Sequence, residues 1–332
     1  MQSADPPSSP DEFGFLLLPE FAMMAFFSAV EPLRIANRLA GRTLYRWRIY
    51  SEGGTPVVAS NGMSLLADGA VGGEPAPHTM LVCASFNVEH YITPRMLHWL
   101  RRLDARGTIL GGIDTGCFVL AEAGLLDGYR VTLHWESIPV FRERFPRIAT
   151  TSELFEIDRD RITSSGGTAT MDLMLQIIAG RHGPELALGV SEQLIHERIR
   201  SPTDHQRIAL AARLGIHNRA LLAAIEFMGR HLERPARTAD IARQAGVSMR
   251  QLERLFAAHL GRTARRYYLD LRLDHARDLL RQTDMAVLEV ALACGFGSSA
   301  SLSRSYRRRF GVPPSRDRQW LGREPAEAAG DA

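Results

Sequence analysis

The chain has 332 residues, 45% of them apolar, with 40 basic against 37 acidic side chains and a formal net charge of +3. At roughly 100–200 residues per domain this length suggests two domains, and the apolar fraction is enough to fill cores, which excludes wholesale disorder. No apolar run approaches the ~20 residues of a membrane span, and Cys83, Cys117 and Cys294, scattered and odd in number, support neither a disulfide framework nor a zinc site.

The small net charge hides an asymmetry. Residues 1–200 carry 18 arginines against 23 acids, whereas residues 201–320 carry 21 against 11, and the chain contains no lysine. A mildly acidic first part joined to a strongly basic second part is the charge pattern of a sensor attached to a polyanion binder. The opening MQSADPPSSPDE (1–12) is acidic and proline-rich, with no basic start and no signal-like apolar stretch. It reads as a disordered tail on a cytoplasmic protein. No metal, cofactor or membrane contact is expected.

From residue 13 to 180, short apolar runs alternate with helical stretches. FGFLLL (13–18), TMLVCA (79–84) and GTILGGI (107–113) have the length and composition of buried parallel strands. Helices are expected at 26–40, 94–106 and 117–126. Strand, crossover helix and strand predict an α/β doubly wound parallel sheet of flavodoxin-like order, whose ligands bind at the carboxyl ends of the strands. The turn GGIDTGCFVLAEAG (111–124) is such a place, because a strand enters, the chain bends sharply and a helix starts.

This turn and the following LLDGYRVTLHW (125–135) resemble the DJ-1/PfpI branch of the class I glutamine amidotransferase-like superfamily. Active members of that branch carry a nucleophilic cysteine on the strained residue directly after the strand. Aligned on Gly116, that position is Asp114, with Thr115 beside it; Cys117 lies one turn into the helix, and Ala25 stands where an acidic partner of the cysteine is expected. A carboxylate cannot perform the thiolate's nucleophilic chemistry, so no catalytic residue is expected and the fold is read as a pocket kept for binding. Asp114 is a candidate for holding a cationic nitrogen, the amides of Thr115 and Gly116 for receiving a carboxylate, and Phe86 or Trp135 for a cation–π contact. Each has a plainer reading: Asp114 as a helix cap, Phe86, Trp135 and His134 as core, Cys83 and Cys117 as packing.

A helix at 185–199 is expected to finish this domain, with a linker at 198–215 marked by Pro202 and its polar neighbours. The basic part then contains one pattern twice: DIARQAGVSMRQLERLFAAHLG (240–261) and EVALACGFGSSASLSRSYRRRFG (289–311). Gly246 pairs with Gly295, and after one extra residue Leu252 pairs with Leu302, Arg254 with Arg304, Phe256 with Tyr306 and Gly261 with Gly311. Each copy reads as a short apolar helix, a glycine turn and a second helix with an outward arginine, the arrangement of a helix-turn-helix unit. Helical spacing in the first copy turns Met249, Leu252, Leu255, Phe256 and Leu260 inward. Between the copies, residues 264–282 read as one helix spanning roughly 28 Å.

Residues 216–318 resemble the AraC/XylS family of transcription regulators, most closely in GFGSSASLSRSYRRRFGVPPSRDR (295–318). That resemblance implies base contacts from Arg250, Glu253 and Arg254 in the first unit and from Ser299, Ala300, Ser301 and Arg304 in the second. Arg307, Arg308 and Arg309 are implied as phosphate anchors. With LLLPEF and SAVEPLRIANRL (16–39) and SSGGTATMDLMLQIIAGRHGPELA (164–187), the resemblance extends over 13–320 to GlxA-type regulators, which join a DJ-1/PfpI-like domain to an AraC-type domain.

The domain order so implied is a tail at 1–12, an effector-sensing and dimerising α/β domain at 13–197, a linker at 198–215, an all-α domain with two helix-turn-helix units at 216–320 and a tail at 321–332. The implied function is a bacterial, cytoplasmic transcriptional activator that binds double-stranded DNA as a homodimer and works with RNA polymerase. Its implied effector is a small nitrogenous metabolite, such as an amino acid or a betaine-like quaternary amine, whose catabolic genes it controls. Two other classes are a DJ-1/PfpI-type hydrolase or amidase with Cys117 as a displaced nucleophile, and a constitutive DNA binder whose α/β domain only dimerises.

Overall fold

In a computed structural model, described for residues 9–206, 214, 218–283 and 285–317, the chain divides into two compact units, Met1–Gln206 and Arg207–Ala332. Of the expected tails and linker, residues 1–8, 207–213, 215 and 321–332 lie outside the described residues. Asp11 and Glu12, expected in the tail, open the first strand.

The first unit is built from β1 (Asp11–Leu17), α1 (Met23–Ala40), β2 (Tyr45–Ser51), β3 (Val57–Val58), β4 (Ser64–Leu65), β5 (Gly69–Ala70) and β6 (Thr79–Ala84). After these come α2 (Pro94–Ala105), β7 (Ile109–Asp114), α3 (Cys117–Glu122), β8 (Arg130–Val131), α4 (Ile138–Arg144), β9 (Ala149–Thr150), β10 (Phe155–Asp158), β11 (Arg161–Ser164), α5 (Ala169–His182) and α6 (Pro184–Gln193). Seven strands form one sheet in the order β10-β11-β7-β6-β1-β2-β5. All pairs in it are parallel except β10 with β11. The expected doubly wound α/β fold is the one observed.

Every residue of β6 is buried, as a central strand covered on both faces requires. On one face Phe13, Phe15, Leu17, Leu81 and Cys83 pack against α1, α5 and α6. On the other, Trp99 of α2 meets Tyr50, their rings 5.3 Å apart. The glycines of the elbow are there for close approach. A Cβ on Gly112 would lie 2.6 Å from the Cys117 amide nitrogen, and one on Gly116 would lie 2.0 Å from the Val82 carbonyl oxygen. These two glycines let α3 start directly on top of the sheet.

The last helix of this unit is shorter than expected. It ends at Gln193, and Ile195 adopts a left-handed conformation (φ 54) that turns the chain. Residues 196–206 then run back over the unit, where the Leu154 amide donates to the Pro202 carbonyl at 2.8 Å.

The second unit comprises α7 (Arg219–Gly229), α8 (Thr238–Gln244), α9 (Met249–Leu260), α10 (Ala264–Gln282), α11 (Val287–Ala293), α12 (Ser299–Phe310) and α13 (Pro314–Asp317). The sequence repeat is a structural repeat. Gly246 and Gly295 turn at φ 68 and 70, and the next residues close the same bond, Val247 N to Ala242 O at 3.0 Å and Phe296 N to Ala291 O at 2.8 Å. The Ser248 and Ser298 hydroxyls cap α9 and α12, each accepting from the third residue on at 3.2 Å. Leu252 and Phe256 in one copy, and Leu302 and Tyr306 in the other, are buried. Met249, expected inward, is 55% exposed, because it begins α9 ahead of the core that starts at Leu252.

Helix α10 braces the two copies. The Tyr268 hydroxyl donates to the His231 carbonyl and accepts from the Ala236 amide on the first copy's side. The Arg272 guanidinium donates to the carbonyls of Cys294 (2.7 Å) and Gly295 (2.6 Å) and lies over the Phe296 ring. A Cβ on Gly295 would stand 2.5 Å from the Pro235 ring, so the second turn sits directly against the segment that leads into α8.

Candidate functional site

The elbow is a strained backbone position. Asp114, the last residue of β7, has φ +62 and is 7% exposed. Glu20 (φ 62) and Asn87 (φ 49), also left-handed, follow β1 and β6, so three strained side-chain-bearing residues stand after three adjacent strands. Strain of this kind persists where surrounding structure over-determines it, and it clusters at ligand sites. The Glu20 carboxylate accepts from the Asn87 amide at 2.7 Å and bonds Tyr91. Sequence reasoning looked for an acidic residue at Ala25, which is buried in α1. Glu20, in the Pro-Glu that ends the first apolar run, is the acid hydrogen-bonded to Asn87.

Burial pushes the Asp114 carboxyl up to about 7; a hydrogen bond with Ser85 opposes the rise, and the charge of Glu136 adds to it. The Asp114 carbonyl accepts from the His134 amide at 3.3 Å. Burial lowers His134 below its ordinary value, against the pull of Glu136, so the imidazole is a poor counterion. Phe86, next to Ser85, is 42% exposed, and Trp135 is partly buried with its ring 5.5 Å from that of His134. Phe86 and Trp135 thus directly follow, in the chain, the two residues that hydrogen-bond Asp114, Ser85 and His134.

Thr115 and Gly116 do not offer the amides expected of them. The Thr115 amide donates to the Ala84 carbonyl at 3.4 Å and the Gly116 amide to the Ile113 carbonyl at 3.0 Å, which leaves neither directed at a ligand carboxylate. Cys117 is fully buried and its thiol donates to the Thr132 carbonyl at 3.2 Å. Burial, then the nearby Asp114 charge, pushes that thiol well above its ordinary range. It is a packing cysteine. A cavity of about 330 Å³ lined by Glu12, Tyr45, Arg46, Arg48 and Pro77 lies at the amino-terminal halves of β1 and β2, the opposite end of the strands from Asp114.

On the second unit, Arg250 and Arg254 of α9 and Ala300, Arg304, Arg307 and Arg308 of α12 are exposed. These five arginines have no ion-pair partner among the described residues. Ser299 and Ser301 are half-buried in the first turn of α12. Two other residues have structural partners instead. The Glu253 carboxylate accepts from the Ala264 amide at 3.1 Å, at the start of α10. Arg309 bonds Asp270 at 2.9 Å and Asp274 at 2.7 Å on α10. Glu253 and Arg309 thus brace α10 from within the unit.

Residues 241–319 match the family described as a helix-turn-helix domain. Over 310 residues the chain is 55% identical to the HTH-type transcriptional regulator CdhR of Pseudomonas aeruginosa, covering 93% of this chain and 92% of that one. Over 311 residues it is 42% identical to the HTH-type transcriptional regulator GlxA of Rhizobium meliloti, covering 93% and 96%. The chain belongs to the GlxA-type family of transcription regulators. A solved ThiJ/PfpI family protein from Pseudomonas syringae shares the fold at 19% identity and a TM-score of 0.51, covering 71% of this chain and 89% of that one. As a GlxA-type regulator the chain binds double-stranded DNA through its helix-turn-helix units, and its relatives are regulators, not enzymes. No helix among the described residues is long and apolar enough to cross a membrane.

Proposed function

We propose that this regulator senses a small cationic nitrogenous metabolite at the Asp114 elbow and activates the genes for its breakdown, as a homodimer that works with RNA polymerase. One observation carries the effector reading. Asp114 is a buried carboxyl whose charged neighbour is another acid, Glu136. A buried charge needs a partner, and an ammonium or quaternary amine supplies one. Phe86 and Trp135, which follow Ser85 and His134 in the chain, are the candidates for a cation–π contact with that group. On DNA, Arg254 and Arg304 read bases from equivalent positions of the two units, with Arg250, Ser299, Ala300 and Ser301 beside them. Arginine's planar fork suits guanine O6 and N7, Ala300 suits a thymine methyl, and Arg307 and Arg308 anchor phosphates.

The test is a thermal-shift screen of the full chain against arginine and other amino acids, glycine betaine, carnitine, sarcosine and polyamines. A ligand at ~100 times its dissociation constant stabilises its domain by about 2.7 kcal/mol. The expected result is a cationic hit that disappears in Asp114→Ala. A flat panel from a protein that still binds specific DNA would sink the effector reading and leave the α/β unit a dimerisation module.

A further inference from the structure

Residues 196–206, expected to fall partly in a free linker, are fixed to the first unit at two points. At one, Asp172 of α5 is fully buried and accepts from the Arg200 amide (2.7 Å), the His196 ring (2.9 Å) and the Arg200 guanidinium (2.6 Å). Arg200 also donates to the Thr168 hydroxyl at 2.7 Å. At the other, the side-chain NH2 of Gln206 shares its two hydrogens among the Thr132 hydroxyl (3.0 Å), the Leu133 carbonyl (3.1 Å) and the Glu153 carbonyl (2.8 Å). His205 adds an antiparallel bridge to Glu153. Gln206 is the last residue of the first unit.

Both fixings touch the elbow. Thr132 and Leu133 immediately precede His134, whose amide holds the Asp114 carbonyl, and the Thr132 carbonyl accepts the Cys117 thiol. On the other side, Thr168 ends a turn whose Gly166 is so close to Asp114 that a Cβ there would lie 2.9 Å from the aspartate's own Cβ. The elbow thus adjoins the segments that anchor both fixings. The Gln206 lock is also incomplete: its side-chain carbonyl oxygen is buried with no donor among the described residues. A buried acceptor left without a hydrogen bond is an uncompensated desolvation cost, so the plug is held by its NH2 end alone.

We propose that residues 196–206 form a strap that relays the state of the Asp114 elbow to the start of the DNA-binding unit, with the Gln206 plug as its releasable end. This rests on the elbow being the effector site. It goes beyond that reading by naming the element that carries the signal out of it.

The test needs no effector. Operator DNA is selected from random duplexes by the full-length protein, and its affinity is measured for wild type, Asp114→Ala, Gln206→Ala and the double variant. Gln206→Glu, which keeps the side chain's size but replaces its donors with acceptors, runs in parallel in case the alanine variant does not fold. The relay predicts that Asp114→Ala changes operator affinity by about fivefold or more, the usual scale of coupling between sites. It also predicts that the change disappears once Gln206 is replaced.

In hydrogen exchange, Asp114→Ala should expose the Leu154 amide, which reports whether Pro202 is still seated. Equal effects of Asp114→Ala with and without the plug would overturn the relay, and so would no effect on operator affinity in either background. A metabolite that stabilises wild type and not Asp114→Ala would keep the effector site standing even then.

Discussion

Glu253, in the outward-leaning half of α9, is hydrogen-bonded through its carboxylate to the backbone amide of Ala264, the first residue of α10. The Thr263 hydroxyl caps the same helix at the Arg266 amide, so two of α10's orphan donors are satisfied by side chains. Glu253→Ala is expected to lower the stability of the DNA-binding unit by about 1 kcal/mol, as loss of a helix cap does, and to leave base preference unchanged. Selection of operator sequences by this variant checks the second half. A changed preference at one base would return Glu253 to the reading surface.

The three consecutive arginines that end α12 separate by function. Arg309→Ala removes bonds to Asp270 and Asp274 and is expected to cost about 1.5–3 kcal/mol of stability. Arg307→Ala and Arg308→Ala should leave stability alone, weaken all DNA sequences alike and each reduce the salt slope of binding by about one. Urea unfolding and a salt titration of operator binding distinguish the two behaviours.

Gly246 and Gly295 occupy the same place in the repeat with nearly the same φ, 68 and 70. A Cβ on Gly246 meets nothing within 4 Å, whereas one on Gly295 meets Pro235 at 2.5 Å and the Leu232 carbonyl oxygen at 2.7 Å. Gly246→Ala should therefore cost only the left-handed penalty of roughly 1–2 kcal/mol, and Gly295→Ala distinctly more. Equal losses in denaturant unfolding would show that the contact yields.

Asp114 makes the first unit sensitive to pH in a known direction. Burial raises its folded-state value from an ordinary 3.8 to about 7, so the folded form holds the proton more tightly than the unfolded chain. The stability it contributes is full below about 4 and is lost as pH rises to about 7. Asp114→Asn, which cannot ionise and tolerates the left-handed backbone, should gain in melting temperature over wild type between pH 5 and pH 8. A cationic ligand displaces the same proton, so its binding should weaken as pH falls below about 7. A pH-independent difference between the two proteins would contradict the burial argument.

What could be read from the sequence was what local pattern determines. TMLVCA became β6 without a residue's change, and 264–282 became α10, because a buried central strand and a capped helix carry their boundaries in composition. The repeat located both turns, since their glycines need a left-handed backbone. Long-range partners were not readable. Glu253 looks like a solvent-facing acid until Ala264 is placed beside it. Gln206 finds its acceptors at Thr132, Leu133 and Glu153, dozens of residues earlier, so the strap resembled a polar linker. Strand β2, next to the two-residue edge strand β5 and with Arg46 and Arg48 exposed on it, lacks the apolar run by which the buried strands were recognised. At the elbow, the sequence carried the missing nucleophile plainly, but not that the Thr115 and Gly116 amides are already bonded.

The brace of α10 has one more consequence. With Tyr268 holding one copy, Arg272 the other, and the Gly295 turn set against Pro235, the two reading heads form a caliper of fixed opening. In such a pairing the compliance must come from the duplex. Base pairs between the two contacted stretches are then expected to be selected by how cheaply they bend or twist to bring both grooves into reach. Part of this regulator's operator preference is thereby expected to lie in the stiffness of DNA.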